Sequence, residues 1–134
     1  MRRLLPGLFL FAAVVNLPPV MGAFSAERLA VLYGVRIEDP ALLLLMRHRA
    51  LLFGIVGVLL VAAAFRPSLR LTALLAGLAS MLSFIGLALS SGGVSEHLRR
   101  IVTADLVASF GLLVAAGLLF IGRDARRDAR RVGE

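Results

Sequence analysis

Four apolar runs, each long enough to cross a bilayer, constrain this chain more than any other feature. They lie at about residues 4–24, 45–65, 71–89 and 101–121, and a hydrocarbon core of about 30 Å needs about 20 helical residues. Lipid offers the backbone no hydrogen bonds, so runs of this kind must close their own as helices. Hydrophobic residues make up 60% of the 134 and charged residues 17%, whereas soluble domains run at about 45–50% and about 25%. The mean hydropathy is +0.94. The expected fold is therefore all-α: an integral membrane four-helix antiparallel bundle, one domain over 1–122, followed by a basic tail over 123–134. Lipid replaces water as the solvent that organises it.

Local chemistry sharpens the boundaries. The first run follows Arg2 and Arg3 and contains Asn16, Pro18 and Pro19. It has the outline of a signal peptide, but Met21-Gly22-Ala23 is a poor A-x-A site, so it is read as a retained span. Pro18-Pro19 is expected to kink or end that helix near its far end. Residues 25–38 form a connector. Ser25 can cap a short helix, Glu27 suits its first turn, and Gly34 suits its stop. Leu29, Val31, Leu32 and Tyr33 make this helix apolar enough to lie in the interface. The second span starts at Asp39-Pro40, an N-cap followed by Pro at the first helical position, and ends before Arg66-Pro67. The third breaks at Ser90-Ser91-Gly92-Gly93, and the fourth is expected to stop at Gly122. Small residues recur at four-residue spacing: Ala50 with Gly54, Ala73 with Gly77, Ala76 with Ser80, Ala104 with Ala108, and Gly111 with Ala115. Such spacing lets helices approach closely in lipid.

The net charge is +7, and all 15 basic residues are Arg. Nucleic acid is not the expected partner, because the basic residues flank spans, where they anchor to anionic headgroups. With four spans both termini share a side. That side carries Arg2, Arg3, Arg66, Arg70, Arg123, Arg126, Arg127, Arg130 and Arg131, nine in all. The other carries Arg28, Arg36, Arg47, Arg49, Arg99 and Arg100, six in all. The positive-inside rule then places both termini in the cytoplasm. In the tail, Asp124 with Arg127 and Asp128 with Arg131 stand at i,i+3 on a helix. Arg123, Arg127 and Arg131 would form a stripe that meets lipid headgroups.

The stretch Arg47-His48-Arg49 interrupts the second run. Its uncharged part, Ala50 to Phe65, has 16 residues, or about 24 Å of helix, so the span must borrow about four more residues to cross. The triplet therefore sits at the outer boundary, where long Arg side chains can snorkel. Arg47 and Arg49 are about 200° apart on a helix, so at least one is expected to face the bundle. The helix runs about 10 Å beyond Arg47 to Asp39-Pro40, leaving Leu42 to Leu45 in need of cover. The connector 25–34 is the expected cover, forming a roofed pocket. Asp105, about one turn inside the fourth span, is the expected counter-charge, and Asn16 reaches the same level. The candidate polar cluster is thus Arg47, His48, Arg49, Asp105 and Asn16, with a pair between Asp105 and Arg47 or Arg49. It is either a structural clasp between helices or a ligand site.

The absence of cysteine excludes disulfides, thiolate metal sites and Cys nucleophiles. His48 and His97 match no metal spacing, so no metal and no cofactor are expected.

The segments LYGV (32–35), DP (39–40), LLMRHRALLFGIVGVLL (44–60), AAFRPSLR (63–70) and AGLASMLSF (76–84), followed by Asp105, carry a resemblance. The chain resembles a group of small, uncharacterised bacterial four-span membrane proteins that are loosely DoxX-like in size and span count. LYG, RHRALLFG and AAFRP are its most specific parts, and it covers most of residues 4–121. Members of this group often carry the label phosphopantetheine adenylyltransferase. That activity needs a parallel sheet and an H-x-G-H motif; this chain lacks strand-like alternation, and neither His48 nor His97 lies in such a motif. The resemblance implies a bacterial cytoplasmic (inner) membrane and a quinone-linked or oxidase-associated setting, and it transfers no catalytic residue. The expected role is a non-enzymatic subunit or a binder of a lipid-soluble ligand. Alternatives are a quinone-linked redox enzyme subunit and a small-solute carrier working as an oligomer. The expected partners are the lipid bilayer and a second copy or a membrane-complex partner.

Overall fold

The computed structural model describes the backbone of residues 3–132 and the side chains of residues 3–122. Five α-helices follow one another: α1 (Leu4–Asn16), α2 (Ala26–Tyr33), α3 (Pro40–Phe65), α4 (Arg70–Ser90) and α5 (Glu96–Val132). Two 3-10 turns, Pro18–Ala23 and Pro67–Leu69, continue α1 and precede α4. There is no strand among the described residues. Four segments are long and apolar enough to cross a membrane: Leu4–Ala23, Pro40–Phe65, Pro67–Ser90 and Glu96–Gly122.

Most boundaries follow from the residues that stand at them. Pro18 and Pro19 have no N–H to continue an α-helical ladder, so α1 ends at Asn16 and the chain tightens into the 3-10 turn. The Ser25 side chain accepts from the Arg28 N–H at 3.3 Å and caps α2. Gly34 ends that helix in the left-handed region, with φ of 71°. Asp39 accepts from the Ala41 N–H at 2.8 Å, and Pro40 opens α3. Ser95 accepts from the Leu98 N–H at 3.4 Å, so α5 begins five residues before its apolar run.

The far end of α5 departs from expectation. The helix passes through Gly122 and continues to Val132. One helical glycine costs only about 1 kcal/mol, and the Arg- and Ala-rich residues after it include no proline. The proposed tail pairs, Asp124 with Arg127 and Asp128 with Arg131, lie outside the residues whose side chains are described.

The four long helices pack in a closed order: α1 lies on α3 and α5, and α4 also lies on α3 and α5. Their shared core is made mainly of small residues, namely Ala12, Ala13, Ala63, Ala64, Ala73, Ala108 and Ala115, with Phe9, Leu60, Met81 and Leu112 fully buried between them. Gly57 admits Leu17, and Gly77 admits Leu112 and Leu60, at distances that leave no room for a Cβ. Close approach through small residues is how helices associate where lipid removes the hydrophobic drive between them. Of the recurring small pairs, Ala50, Ala73, Gly77, Ala108, Gly111 and Ala115 are buried. The large residues turn outward instead, with Val14, Leu44, Ile55, Leu75, Phe110 and Leu113 all exposed, which fits a lipid surrounding.

The short helix α2 does not make the expected roof over Leu42–Leu45. It packs on the first 3-10 turn and on α5, and Leu44 and Leu45 remain 68% and 64% exposed. Two glycines explain the placement. Fully buried Leu29 sits against Gly22, where a Cβ would collide with it. The His97 ring sits against Gly34 in the same way. These contacts draw α2 toward the turn and the start of α5, away from the first turns of α3.

Candidate functional site

The polar groups foreseen near one level of the fold divide into two adjoining places. The first is a cavity of about 270 Å³ bounded by the end of α1, its 3-10 turn, α2, α3 and α5. Asn16, Tyr33, Phe53 and Asp105 line it, with Pro18 and Pro19 forming part of the wall. The prolines thus do two jobs: they stop α1 just past Asn16, and they shape the space beside it.

Asn16 is the last residue of α1 and only 2% exposed. Its Nδ2 donates to the Ala12 carbonyl at 3.0 Å, one turn back. That bond uses one of the two N–H donors and leaves the other and the amide oxygen. Asp105 is 6% exposed on the inner face of α5, and its Oδ2 is buried with no hydrogen-bond partner. A buried carboxylate oxygen without a partner carries a full desolvation cost, so it marks a place where something is owed a contact. One turn further along α5, buried Ser109 donates to the Met81 sulfur at 3.5 Å and satisfies itself within the core.

The second place surrounds Arg49. Its guanidinium carbon lies 4.7 Å from the centre of the Phe84 ring, 5.2 Å from Phe53 and 5.8 Å from Tyr33. Arg49 and Phe53 are one turn apart on α3, Phe84 comes from α4, and Tyr33 closes α2. Three rings therefore hold one planar cation. Arg47 is not part of this cage: it is half-buried, and its Nε is buried without a partner. His48 is exposed. Of the two arginines, Arg49 is the one held among rings, and both are half-buried.

The foreseen ion pair is absent as a contact. Among the described residues the salt bridges are Arg99 and Arg100 to Glu96, at 3.5 and 3.6 Å on the surface. Neither Arg47 nor Arg49 comes within 4.0 Å of Asp105. The aromatic cage takes the guanidinium that the carboxylate was expected to hold. Tyr33, Phe53 and Phe84 were not foreseen as part of the site. Tyr33 is the one tyrosine in the chain, and Phe53 stands at i+4 from Arg49, so both carried a local signal; Phe84 carried none. No group of three or more His, Asp or Glu suited to a metal occurs among the described residues.

The cage yields a direct prediction. Arg49→Lys keeps the charge but loses the flat face that stacks on the rings, so it should cost about 1 kcal/mol of stability in detergent. Arg47→Lys should cost less, which side-by-side unfolding of the two variants checks.

Tyr33 provides a second. Burial is the main cause that pushes its phenol above the ordinary value of 10.0; the Arg49 charge pulls it down, and Asp105 pushes it up. The folded state thus holds the phenolic proton at pH values where the unfolded chain releases it. The contribution of Tyr33 to stability is constant below about pH 10 and falls as pH rises from there toward the folded value. With no tryptophan and one tyrosine in the chain, tyrosinate absorbance reads the group directly. Its midpoint should lie above that of the unfolded protein; a midpoint at or below it would contradict the burial of Tyr33.

Chemically, the arrangement sets a carboxylate, an amide and a phenol on an apolar wall, with a caged cation next door. No protein-family model, curated protein or solved structure matches the chain.

Proposed function

We propose that this chain is a small integral membrane protein that binds a lipid-soluble ligand through the cavity beside Asp105, without chemistry of its own. In this reading it crosses a bacterial cytoplasmic membrane four times as an antiparallel bundle. Both termini lie in the cytoplasm, with nine arginines on that side against six. Helix α2 lies in the outer interface, with Tyr33 at a depth that suits an amphipathic ring. The resemblance to DoxX-like proteins belongs to the same proposal.

The observation that carries the reading is the cavity itself: an apolar space of about 270 Å³ into which one buried, unpartnered carboxylate oxygen is set. Small-molecule sites are apolar hollows with a few placed polar groups, and ionisable groups inside a membrane are functional-site hypotheses by default. The cavity is just below the usual size range, which favours a compact ligand.

Native mass spectrometry of gently extracted protein tests this. The expected result is an additional small mass that travels with the wild-type chain and is lost from Ala104→Leu, which fills the cavity. Bare protein under the same conditions would count against the reading. A second protein at fixed stoichiometry would instead favour a subunit role.

A further inference from the structure

The polar groups on the cavity wall are unequal in kind. Asp105 Oδ2 is an acceptor with no donor. The Asn16 amide spends one of its two N–H donors on the Ala12 carbonyl and keeps its oxygen as an acceptor. Arg100 borders the same cavity, but it is exposed and its guanidinium reaches toward Glu96 at 3.6 Å. Arg49 is held by its three rings and borders a separate groove between α3 and α4; Phe53 borders both spaces and stands between them. The remaining walls, including Val15, Leu32 and Ile101, are apolar. Tyr33 adds a hydroxyl that can donate or accept. The buried atom left without a partner on this wall is an acceptor, the carboxylate oxygen of Asp105.

An occupant that satisfies such a wall must bring donors and an apolar body. A buried carboxylate gains most from a donor that also carries positive charge. We infer that the cavity takes a small apolar molecule ending in a protonated amine, whose N–H groups point at Asp105 Oδ2 and the Asn16 side-chain oxygen. This inference rests on the reading of the cavity as a ligand site and names the chemistry of its ligand. A carboxylic acid would face Asp105 with like charge. A neutral alcohol would satisfy one acceptor and leave the charge unpaired.

The test uses the full chain in lipid nanodiscs and three matched probes: cyclohexylmethylamine, cyclohexylmethanol and cyclohexanecarboxylate. Tyr33 lines the cavity and is the one tyrosine in a chain without tryptophan, so its fluorescence reports occupancy, and none of the probes absorbs there. The amine should bind at least tenfold more tightly than the alcohol, and the acid should not bind. Asp105→Asn, close in shape, should lose that tenfold preference while retaining its helical circular dichroism. Asn16→Leu should weaken the amine by a smaller factor, and Ala104→Leu should abolish the response to every probe. If the alcohol or the acid binds as well as the amine and Ala104→Leu still abolishes it, the amine inference fails while the ligand site stands. If no probe distinguishes wild type from Ala104→Leu, the ligand-site reading fails with it.

Discussion

Phe9→Ala should destabilise the protein by about 3 kcal/mol, the low end of the range for removing a buried aromatic ring. Phe9 is fully buried within a core otherwise dominated by alanine. In a water-soluble protein much of the cost would come from returning the ring to water. Here the unfolded helices would still lie in an apolar medium, so that part contributes little. What remains is the lost packing, and alanines cannot extend to refill the space. Reversible unfolding in mixed detergent micelles reads the change. A cost below about 1 kcal/mol would mean that the helices collapse onto the gap, and would put the described packing of α1 on α3 and α5 in question. Phe11→Ala is the control, since Phe11 is exposed on the same helix.

Gly77→Val should cost about 3 kcal/mol, for the opposite reason. A Cβ at Gly77 would lie 2.9 Å from Leu112 Cδ1 and 3.4 Å from Leu60 Cδ2. Both leucines are fully buried in the shared core, so neither can swing away without displacing its neighbours. The added methyls must therefore push α4 away from α3 and α5, and packing energy falls steeply with such a gap. Gly86 on the same helix meets nothing within 4 Å, and Gly86→Val should stay within about 0.5 kcal/mol of wild type. The difference between the two valine variants isolates crowding from helix propensity, which is common to both. Equal losses would show that propensity rather than contact sets the cost.

Much of the architecture was legible before any coordinates. Ser25, Asp39, Pro40 and the paired prolines mark their boundaries by chemistry that acts within a few residues, and each does so where expected. Gly122 misled, because a glycine permits a stop without imposing one; the backbone ladder through to Val132 decides. That Asn16 and Asp105 come to one height in the fold was legible too, since rise per residue converts a position in a helix into a distance along it. The partners of the polar residues were not. Arg49 finds Phe84 across α4, and Asp105 is left with none, outcomes that depend on how helices rotate about their own axes. Formal charge pointed to an ion pair, and aromatic faces took the cation instead.

Length and hydropathy by themselves determine that four helices can span a bilayer, because the hydrocarbon thickness and the obligation to satisfy backbone groups leave no other use for runs of this size. The tertiary structure alone decided the site. Only packing shows that Gly22 and Gly34 draw α2 onto the turn and α5, that Arg49 rather than Arg47 meets the rings, and that Asp105 opens onto a cavity without a partner. The physical reason is range. Capping, proline chemistry and hydropathy act along the chain. The placement of a guanidinium or a carboxylate between helices is fixed by contacts among residues far apart in it.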